Sequence, residues 1–485
     1  MTAAKPSEVI ELPEPPRPGL WSYLRAVGPG VIMTSLAIGA GEWILFPAAV
    51  VRFGPYLMWA AAFSCVLQAV LAVESMKTVV YCGQPVHKFY QRLWPGGLAW
   101  AWVWAVLLFI PVMWPAWAIS SATAAVALQL GTIPGPAHSS LVLTWGVIAM
   151  VVGLGVLHVG RKIERTLELL SWPIVILMLV TISAAVVIAA PTSAWIEVGK
   201  GIFTVNLPRN VDWFVLAAAI AYIPAGFGFN LMMSSYARDK GWGMGARAGY
   251  IPAIIGGRNM KISTDDMPFT ITPENLRRWK GWLNVLRVDS WIVFSLVSFV
   301  TVYVTTTMAY TLLVPKGLTP TGFAVAAAQA EALKAVAGEL AWVIVLLGGF
   351  WILFDTQWGL MDSVSRVIAD NFWTASEKVR RLFGHDIRRL YYTVLYLIFG
   401  VSMALMVGAV ALRWAQPFEL VALGANLGLF ALTIAFPLQI IVNYKFLPKE
   451  IRGGPVTTLL LAAGTFFYGY FLVAVLLQTL FGIRL

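Results

Sequence analysis

A carboxylate inside an apolar stretch constrains this chain more than any other sequence feature. Glu42 directly follows Gly39, Ala40 and Gly41 in a run long enough to cross a membrane. A charge at membrane depth costs a few kcal/mol or more, so such residues usually face a cavity lined by protein or water. Glycines let a helix unwind and turn its backbone toward a ligand. The pattern predicts a binding site in a broken helix, and the alternative is a Glu that pairs with a neighbouring helix for packing.

The composition places the chain in a membrane. Of the 485 residues, 59% are hydrophobic and only 12% are charged, whereas about 25% are charged in soluble domains. The mean hydropathy is +0.78. Apolar runs of transmembrane length are centred near residues 40, 68, 113, 148, 178, 224, 300, 352, 402, 430 and 468. The sequence therefore predicts an all-α polytopic membrane protein with eleven spans.

The net charge of +11 is explained by Lys and Arg residues concentrated in the loops between spans. Most of the 34 Lys and Arg residues fall in alternate loops, among them Arg161, Lys162 and Arg165. Because basic loops stay on the cytoplasmic side, we expect a multi-pass protein of the cell (inner) membrane, with a cytoplasmic N-terminus and an external C-terminus. The lipid bilayer is the expected partner, and neither nucleic acid nor an obligate protein partner is predicted. Cys65 and Cys82 predict no disulfide framework.

A second break in a span occurs from Ile223 to Asn230, in the sixth segment. Pro224 removes a backbone donor, and Gly226 and Gly228 loosen the chain. This span is five spans after the first, and a repeat of five helices would be inverted in the membrane. Matched interruptions predict a substrate site for alternating access. The predicted site residues here are Gly39, Ala40, Gly41, Glu42, Ala225, Gly226, Phe227, Phe229 and Asn230.

Six short motifs agree in order and spacing with the Nramp family of divalent-metal transporters, and the chain resembles that family over nearly all of residues 25–450. They are Gly28-Pro29-Gly30, Leu67-Gln68-Ala69, Tyr81-Cys82-Gly83, Arg161-Lys162-Ile163-Glu164, Asn230-Leu231, and Pro437 with Asn443. The resemblance implies a LeuT-type fold, a 5+5 inverted repeat of 11 transmembrane helices with helices 1 and 6 broken at midplane. The first repeat would occupy 25–190, the second 191–443 with a cytoplasmic loop at about 239–287, and helix 11 would occupy 444–485.

The departures from that family fall at its metal site. The family's Asp-Pro-Gly-Asn motif aligns with Gly39 to Glu42, so Gly39 stands at the metal-binding Asp position. The Met-Pro-His motif aligns with Phe227 to Phe229, and a metal-contacting Gln maps to Gly424, with Asn426 two residues on as a further binding candidate. The third span also lacks the family's acidic residues. The scaffold is retained, whereas the transition-metal ligands are not.

Two substrate classes remain open from the sequence. Glu42 as the metal ligand, with Asn230, backbone carbonyls and retained waters, could hold a hard divalent cation such as Mg²⁺ or Mn²⁺. Phe227 and Phe229, with Trp114 and Trp117 of the third span, could instead receive a small organic cation through cation–π contacts. These aromatic residues could also be packing, and a third alternative is a transport-inactive scaffold or receptor.

Polar residues in the eighth span are candidates for coupling or relay. Asp362 and Arg366 are four residues apart and can pair on one helix face. Asp355 has no basic residue three or four positions away, so it is either a second acid for ion or proton coupling or a hydrogen-bond partner of another helix. Gln357 lies beside it. Protons remain an open coupling partner.

The remaining expectations concern the polar segments. Residues 1–24 are rich in Pro and Glu and predict a disordered cytoplasmic tail. Thr272-Pro273-Glu274 is typical of a helix start. The basic and aromatic residues that follow suit a helix at the inner membrane surface, and the alternative is an ordinary loop helix. Glu74 and Lys77 predict a structural pair. We find no enzyme motif, and we expect neither catalytic residues nor a tightly bound cofactor.

Overall fold

The computed structural model describes residues 9–160, 162–207, 211–257, 262–318, 321, 324, 327–411 and 417–483. Arg161, used above in the charge pattern and the resemblance, lies outside them. In the described chain, ten helices are long and apolar enough to cross a membrane. Two shorter half-helices form a further segment between the fifth and the seventh span. The predicted all-α architecture of eleven segments is confirmed.

We number these segments in chain order. Segments 1 to 5 are Pro29–Phe53, Pro55–Cys82, Gly97–Leu130, Pro136–Val156 and Ile163–Ala189. Segment 6 consists of Trp213–Ala221 and Phe229–Lys240. Segments 7 to 11 are Pro273–Lys316, Ala328–Ala375, Ile387–Ala411, Pro417–Lys445 and Pro455–Phe481. A short helix, Leu20–Ala26, precedes segment 1, and short helices at His87–Tyr90, Thr192–Phe203 and Glu377–Leu382 lie between segments. The end of the bundle where segment 1 begins is called the N-side.

Segment 1 lies at the centre of the bundle and is not broken as predicted. Its helix continues through Glu42, but residues Ile38–Leu45 are wound as a π-helix. The physical reason lies in the neighbours of the glycines. A Cβ atom at Gly39 would lie 2.2 Å from Thr356 Oγ1, and one at Gly41 would lie 2.4 Å from the Tyr222 carbonyl oxygen. The glycines therefore permit close helix packing, and the site is formed by a widened turn of the kind often found at functional sites.

Segment 6 is interrupted where the sequence predicts it. Its first half ends at Ala221, its second half begins at Phe229, and Gly228 has a left-handed φ of 71°. Gln68 of segment 2 fills the gap, since its amide donates to the Ile223 carbonyl at 3.0 Å and accepts from the Ala225 N–H at 3.1 Å. These bonds satisfy backbone groups that the missing helical turn leaves free.

Other segments carry smaller irregularities. Segment 3 is divided by a bend at Met113–Pro115, between helices Gly97–Val112 and Ala116–Leu130. Segment 7 contains π-helical turns at Val288–Leu296 and Ala309–Leu313. The outer segments expose large apolar side chains, including Val151, Val180 and Phe466. Such faces suit contact with lipid tails, which agrees with a multi-pass membrane protein.

Residues 10–15 of the N-terminal segment pack against the helix Pro273–Arg287, which corrects the prediction of a disordered tail for this part of it. Leu12 is fully buried, and its N–H donates to Asn275 Oδ1 at 3.0 Å. Trp282 Nε1 donates to the Pro13 carbonyl at 2.9 Å, and Arg278 donates to the Leu12 carbonyl at 2.8 Å. Hydrogen bonds from a distant helix thus offset the low hydrophobicity of the tail, which sequence composition alone could not show.

The loop between segments 6 and 7 packs on the N-side. The Thr272 hydroxyl accepts from the Asn275 N–H at 3.2 Å, which confirms the predicted start of the helix Pro273–Arg287. Asp266 binds Lys88 at 2.8 Å and also pairs with Arg92. Partial burial favours a higher pKa for Asp266, but the hydrogen bonds from these two cations outweigh it and lower the pKa below its ordinary value.

Candidate functional site

Glu42 is fully buried at the widened turn of segment 1. Its polar neighbours are Ser298 and Thr301 of segment 7, and the Cys65 thiol of segment 2 lies nearby. Neither carboxylate oxygen has a hydrogen bond of normal geometry to the described part of the chain, and the same holds for Ser298 Oγ. A buried carboxylate without a partner costs several kcal/mol, so this arrangement suits a group that is neutralised by a cation or a proton.

The break in segment 6 is lined by aromatic rings. The ring centroids of Trp117 and Tyr222 are 6.2 Å apart, those of Tyr222 and Phe227 are 5.6 Å apart, and those of Trp117 and Phe227 are 6.5 Å apart. Gly41 brings segment 1 against the Tyr222 backbone. The aromatic cluster of Trp117, Tyr222 and Phe227 therefore adjoins the widened turn, with Gly41 at the contact.

The other residues predicted for this site play different parts. Asn230 Nδ2 donates to the Tyr90 hydroxyl at 3.2 Å, whereas its Oδ1 has no partner among the described residues. Phe229 stacks on Phe294 at 5.4 Å, on the side of segment 7. Asn426 donates to the Phe214 carbonyl at 2.8 Å, so it braces the first half of segment 6.

Ala225 and Gly226 lie in the break itself, and Ala40 lies in the π-helical turn of segment 1. A Cβ atom at Gly226 would lie 3.1 Å from the Tyr222 ring. The Ala225 N–H is held by Gln68. These residues shape the backbone between the two broken or widened helices, and Glu42 and Asn230 present polar atoms without partners in the described chain.

Asp355 and Gln357 join segment 8 to segments 1 and 3. Asp355 is buried and accepts a hydrogen bond from the Ser35 hydroxyl of segment 1. Gln357 Oε1 accepts from the Ala118 N–H at 3.1 Å, at the start of the second helix of segment 3. Asp355 is thus a hydrogen-bond partner of another helix, as one alternative predicts. It can also serve as a coupling acid, because a carboxyl group with one bonded oxygen can still exchange a proton.

Asp362 and Arg366 belong to a buried ionic network nearer the N-side. The predicted pair forms at 3.1 Å, and Arg366 also contacts Asp239 of segment 6. Tyr236 and Tyr391 both donate to Asp362 at 2.6 Å. Asp362 and Arg366 thus have partners from segments 6 and 9, and these contacts stabilise the packing of both segments against segment 8. Their role in coupling or relay stays a prediction.

Sequence reasoning missed several residues that build the site. Gln68 was recognised only as part of a family motif, although a lone amide within an apolar span signals a buried bonding partner. Tyr222 was not singled out, and Ser298 and Thr301 were hidden among the many hydroxyl residues of segment 7. The predicted pair of Glu74 and Lys77 forms at 2.6 Å, away from this region.

The groups around Glu42 are two hydroxyl oxygens and, nearby, the Cys65 thiol. No group of three or more His, Cys, Asp or Glu side chains suited to a metal ion occurs in the ranges described above. A carboxylate beside two hydroxyl groups offers oxygen ligands, which hard cations such as Mg²⁺ prefer and which leave room for retained waters. The aromatic cluster offers ring faces, which suit organic cations.

Known structures share this architecture. The chain is 14% identical to a manganese transporter from Eremococcus coleocola, with a TM-score of 0.69 over 98% of this chain and 90% of that one. The same transporter in complex with an aromatic bis-isothiourea substituted compound aligns with a TM-score of 0.68 over 97% and 90% of the two chains. A nucleobase-cation-symport-1 family transporter with bromovinylhydantoin bound aligns at 12% identity, with a TM-score of 0.52 over 93% and 91%.

These likenesses confirm the predicted LeuT-type fold and, at the level of fold, the resemblance to Nramp transporters. No family model matches the chain, and no curated protein matches its sequence. The three structures belong to membrane transporters.

Proposed function

We propose that this protein is a secondary-active transporter that carries a small hard cation by alternating access, with Glu42 supplying the neutralising charge. The observation that supports this most is the buried Glu42 carboxylate, which has no hydrogen-bond partner in the described chain and lies at the widened turn opposite the interrupted segment 6. A fixed negative charge in this position has to be compensated by a bound cation or by protonation.

The proposed substrate is a hard divalent cation of the Mg²⁺ or Mn²⁺ kind. Ser298 and Thr301 add hydroxyl oxygens beside the carboxylate, and hard ions need few protein ligands because they keep several waters. We also propose that the protein lies in the inner membrane of the cell. Its N-side would face the cytoplasm, because the basic loops favour that orientation. We propose a carrier and not an enzyme.

Neutralisation of Glu42 tests the proposal. Glu42→Gln keeps the side-chain shape but removes the charge, so we expect a folded protein whose Mg²⁺ or Mn²⁺ uptake into proteoliposomes falls at least about tenfold. Glu339→Gln is the matched control, because Glu339 is an exposed acid that pairs with Lys334 on segment 8. If the wild type transports and Glu42→Gln transports equally well, this carboxylate has no role in uptake. If the wild type itself shows no uptake, a transport-inactive scaffold is favoured.

The aromatic cluster supports a second candidate, the transport of a small organic cation. Each favourable cation–π contact contributes about 0.5 to 2 kcal/mol, and three rings meet beside segment 1. Thermal-shift titration with Mg²⁺, Mn²⁺ and a panel of amines separates the two candidates, since a ligand that binds only the folded state raises its apparent stability. If amines alone stabilise the protein, the proposed substrate becomes an organic cation. This stabilisation should then be lost in Trp117→Ala and retained in the control Trp21→Ala, which changes an exposed residue.

Asp355 is the proposed proton-coupling residue, because it is a second buried acid and contacts segment 1 through Ser35. Substrate uptake should then acidify proteoliposomes that contain a pH dye. We expect Asp355→Asn to abolish acidification while substrate binding persists. Substrate entry without acidification in the wild type would show an uncoupled carrier.

A further inference from the structure

A cavity of about 380 Å³ opens on the N-side, away from Glu42 and the aromatic cluster. Its walls come from segment 2, from the helix Pro273–Arg287 that begins segment 7 and the π-helical turn after it, and from the connection into segment 11 with that segment's first turns. The volume is within the range of small-molecule sites, about 300 to 1,000 Å³. None of the predicted substrate or coupling residues lines it.

One part of the cavity is apolar and reaches the outside of the bundle. Val70 and Val73 of segment 2 and Leu460 of segment 11 line it together with Trp279 and Trp291. Val456, also in the lining, is 71% exposed. Segment 11 has the composition of a membrane span, and the opening lies at its first turn. We therefore expect the opening at the interface between the bilayer and water, where Trp side chains are favoured.

The other part is cationic. Arg287 and Arg452 both line the cavity. Arg452 lies over the Tyr444 ring at 4.7 Å, and neither arginine forms an ion pair within the described ranges. Of the acids in the lining, Glu74 is neutralised by Lys77 at 2.6 Å, so only Glu450 opposes the two arginines. The cavity therefore carries a surplus of positive charge beside an apolar wall.

We propose that this cavity binds the headgroup and upper acyl chain of an anionic phospholipid from the N-side leaflet. A soluble anion would match the arginines but not the apolar wall, and a neutral lipid would leave the arginines without a counter-charge. Arginine recognises phosphate oxygens through its planar array of donors, and anionic lipids attract basic residues near the membrane surface. The lipid would join segment 2 to segments 7 and 11.

Lipid-dependent stability tests this proposal. The purified protein in mixed micelles should melt several degrees higher with phosphatidylglycerol than with phosphatidylcholine of the same acyl chains. The double variant Arg287→Ala/Arg452→Ala should bind phosphatidylglycerol about 30-fold more weakly and lose this difference. Lys280→Ala is the matched control, because Lys280 is an exposed cation on the same helix and does not line the cavity. It should retain the full difference.

A second variant keeps the arginines and fills the apolar part. Thr457→Trp places a large ring in the cavity, so native mass spectrometry should detect at least several-fold less retained phosphatidylglycerol than in the wild type. Equal stabilisation by the two lipids, or an undiminished preference in the double variant, would overturn the proposal. So would full stabilisation by inorganic phosphate alone, which would indicate a site for a soluble anion. Because the readouts do not involve cation uptake, failure of the proposed transport function would leave them unaffected.

Discussion

At the scale of single residues, two buried polar side chains near the break in segment 6 differ sharply in their hydrogen bonding. Gln68 uses both ends of its amide to hold the break in segment 6, whereas Glu42 has no hydrogen-bond partner in the described chain. A bonded amide stabilises a fixed backbone, and a free carboxylate costs energy unless something compensates it. The first residue therefore shapes the proposed site, and the second supplies its charge.

Removal of the Gln68 amide should disturb the break without removing any charge. Gln68→Leu leaves the Ala225 N–H and part of the Ile223 carbonyl capacity unsatisfied, so we expect a loss of about 1 to 3 kcal/mol of stability and a marked loss of transport. Thermal unfolding and proteoliposome uptake measure the two effects.

Gln91→Leu is the control for this change, because the buried Gln91 amide donates to Asn371 of segment 8 and makes no hydrogen bond to the break in segment 6 within the described chain. We expect it to lose stability but to keep uptake per folded molecule. If both variants transport equally well, Gln68 is not a positioning residue for the proposed site.

At the scale of elements, segment 1 combines a wide helical turn with very close packing. Its π-helical turn runs from Ile38 to Leu45, and within it Gly39 faces segment 8 while Gly41 faces segment 6. A π-helical turn contains an extra residue, which changes the direction of the side chains that follow. In this segment the change accompanies a Glu42 side chain that lies beside Ser298 and Thr301 of segment 7.

A methyl group at Gly41 should separate segments 1 and 6. Its Cβ atom would lie 2.4 Å from the Tyr222 carbonyl oxygen, and a backbone atom cannot turn aside as a flexible side chain does. We expect Gly41→Ala to cost about 1 to 3 kcal/mol and to abolish uptake. Gly155→Ala in segment 4 meets no atom within 4 Å and should be neutral or slightly stabilising. Equal melting temperatures of the two variants would refute the packing role of Gly41.

At the scale of the whole molecule, the described structure is closed on the N-side. Asp289 of segment 7 accepts from the Gly28 and Gly30 N–H groups at 2.9 and 2.8 Å, which fixes the start of segment 1. The network around Arg366 and Asp239 closes the same side between segments 6 and 8. Alternating access requires such contacts to open, so their disruption should favour a state that is open on the N-side.

Cysteine labelling can detect this opening. Cys65 is 3% exposed and lies near Glu42, so an N-side pathway to Glu42 should expose it. In a Cys82→Ala background, we expect Asp289→Ala to raise the rate of Cys65 maleimide labelling several-fold. Glu377→Ala, which removes a surface acid from a short N-side helix, should leave the rate unchanged. A slow rate in both variants would show that Asp289 does not hold the closed state.

The sequence by itself determined the number and order of the spans, the interruption of segment 6, the helix start at Thr272 and the pair of Asp362 and Arg366. Each depends on local composition or on residues within one or two helical turns, where apolar length and burial cost act directly. The LeuT-type fold followed from the family resemblance, since spacing alone does not specify how spans pack.

Only the tertiary structure decided how distant residues meet. It showed that the glycines of segment 1 serve close packing, that the N-terminal tail is held by Asn275, and that Arg366 also binds Asp239. These contacts join residues far apart in the chain, and their energies arise only when the segments pack. For the same reason the sequence could place a carboxylate at Glu42, but only the packing of segments 2 and 7 around it decided which groups face that charge.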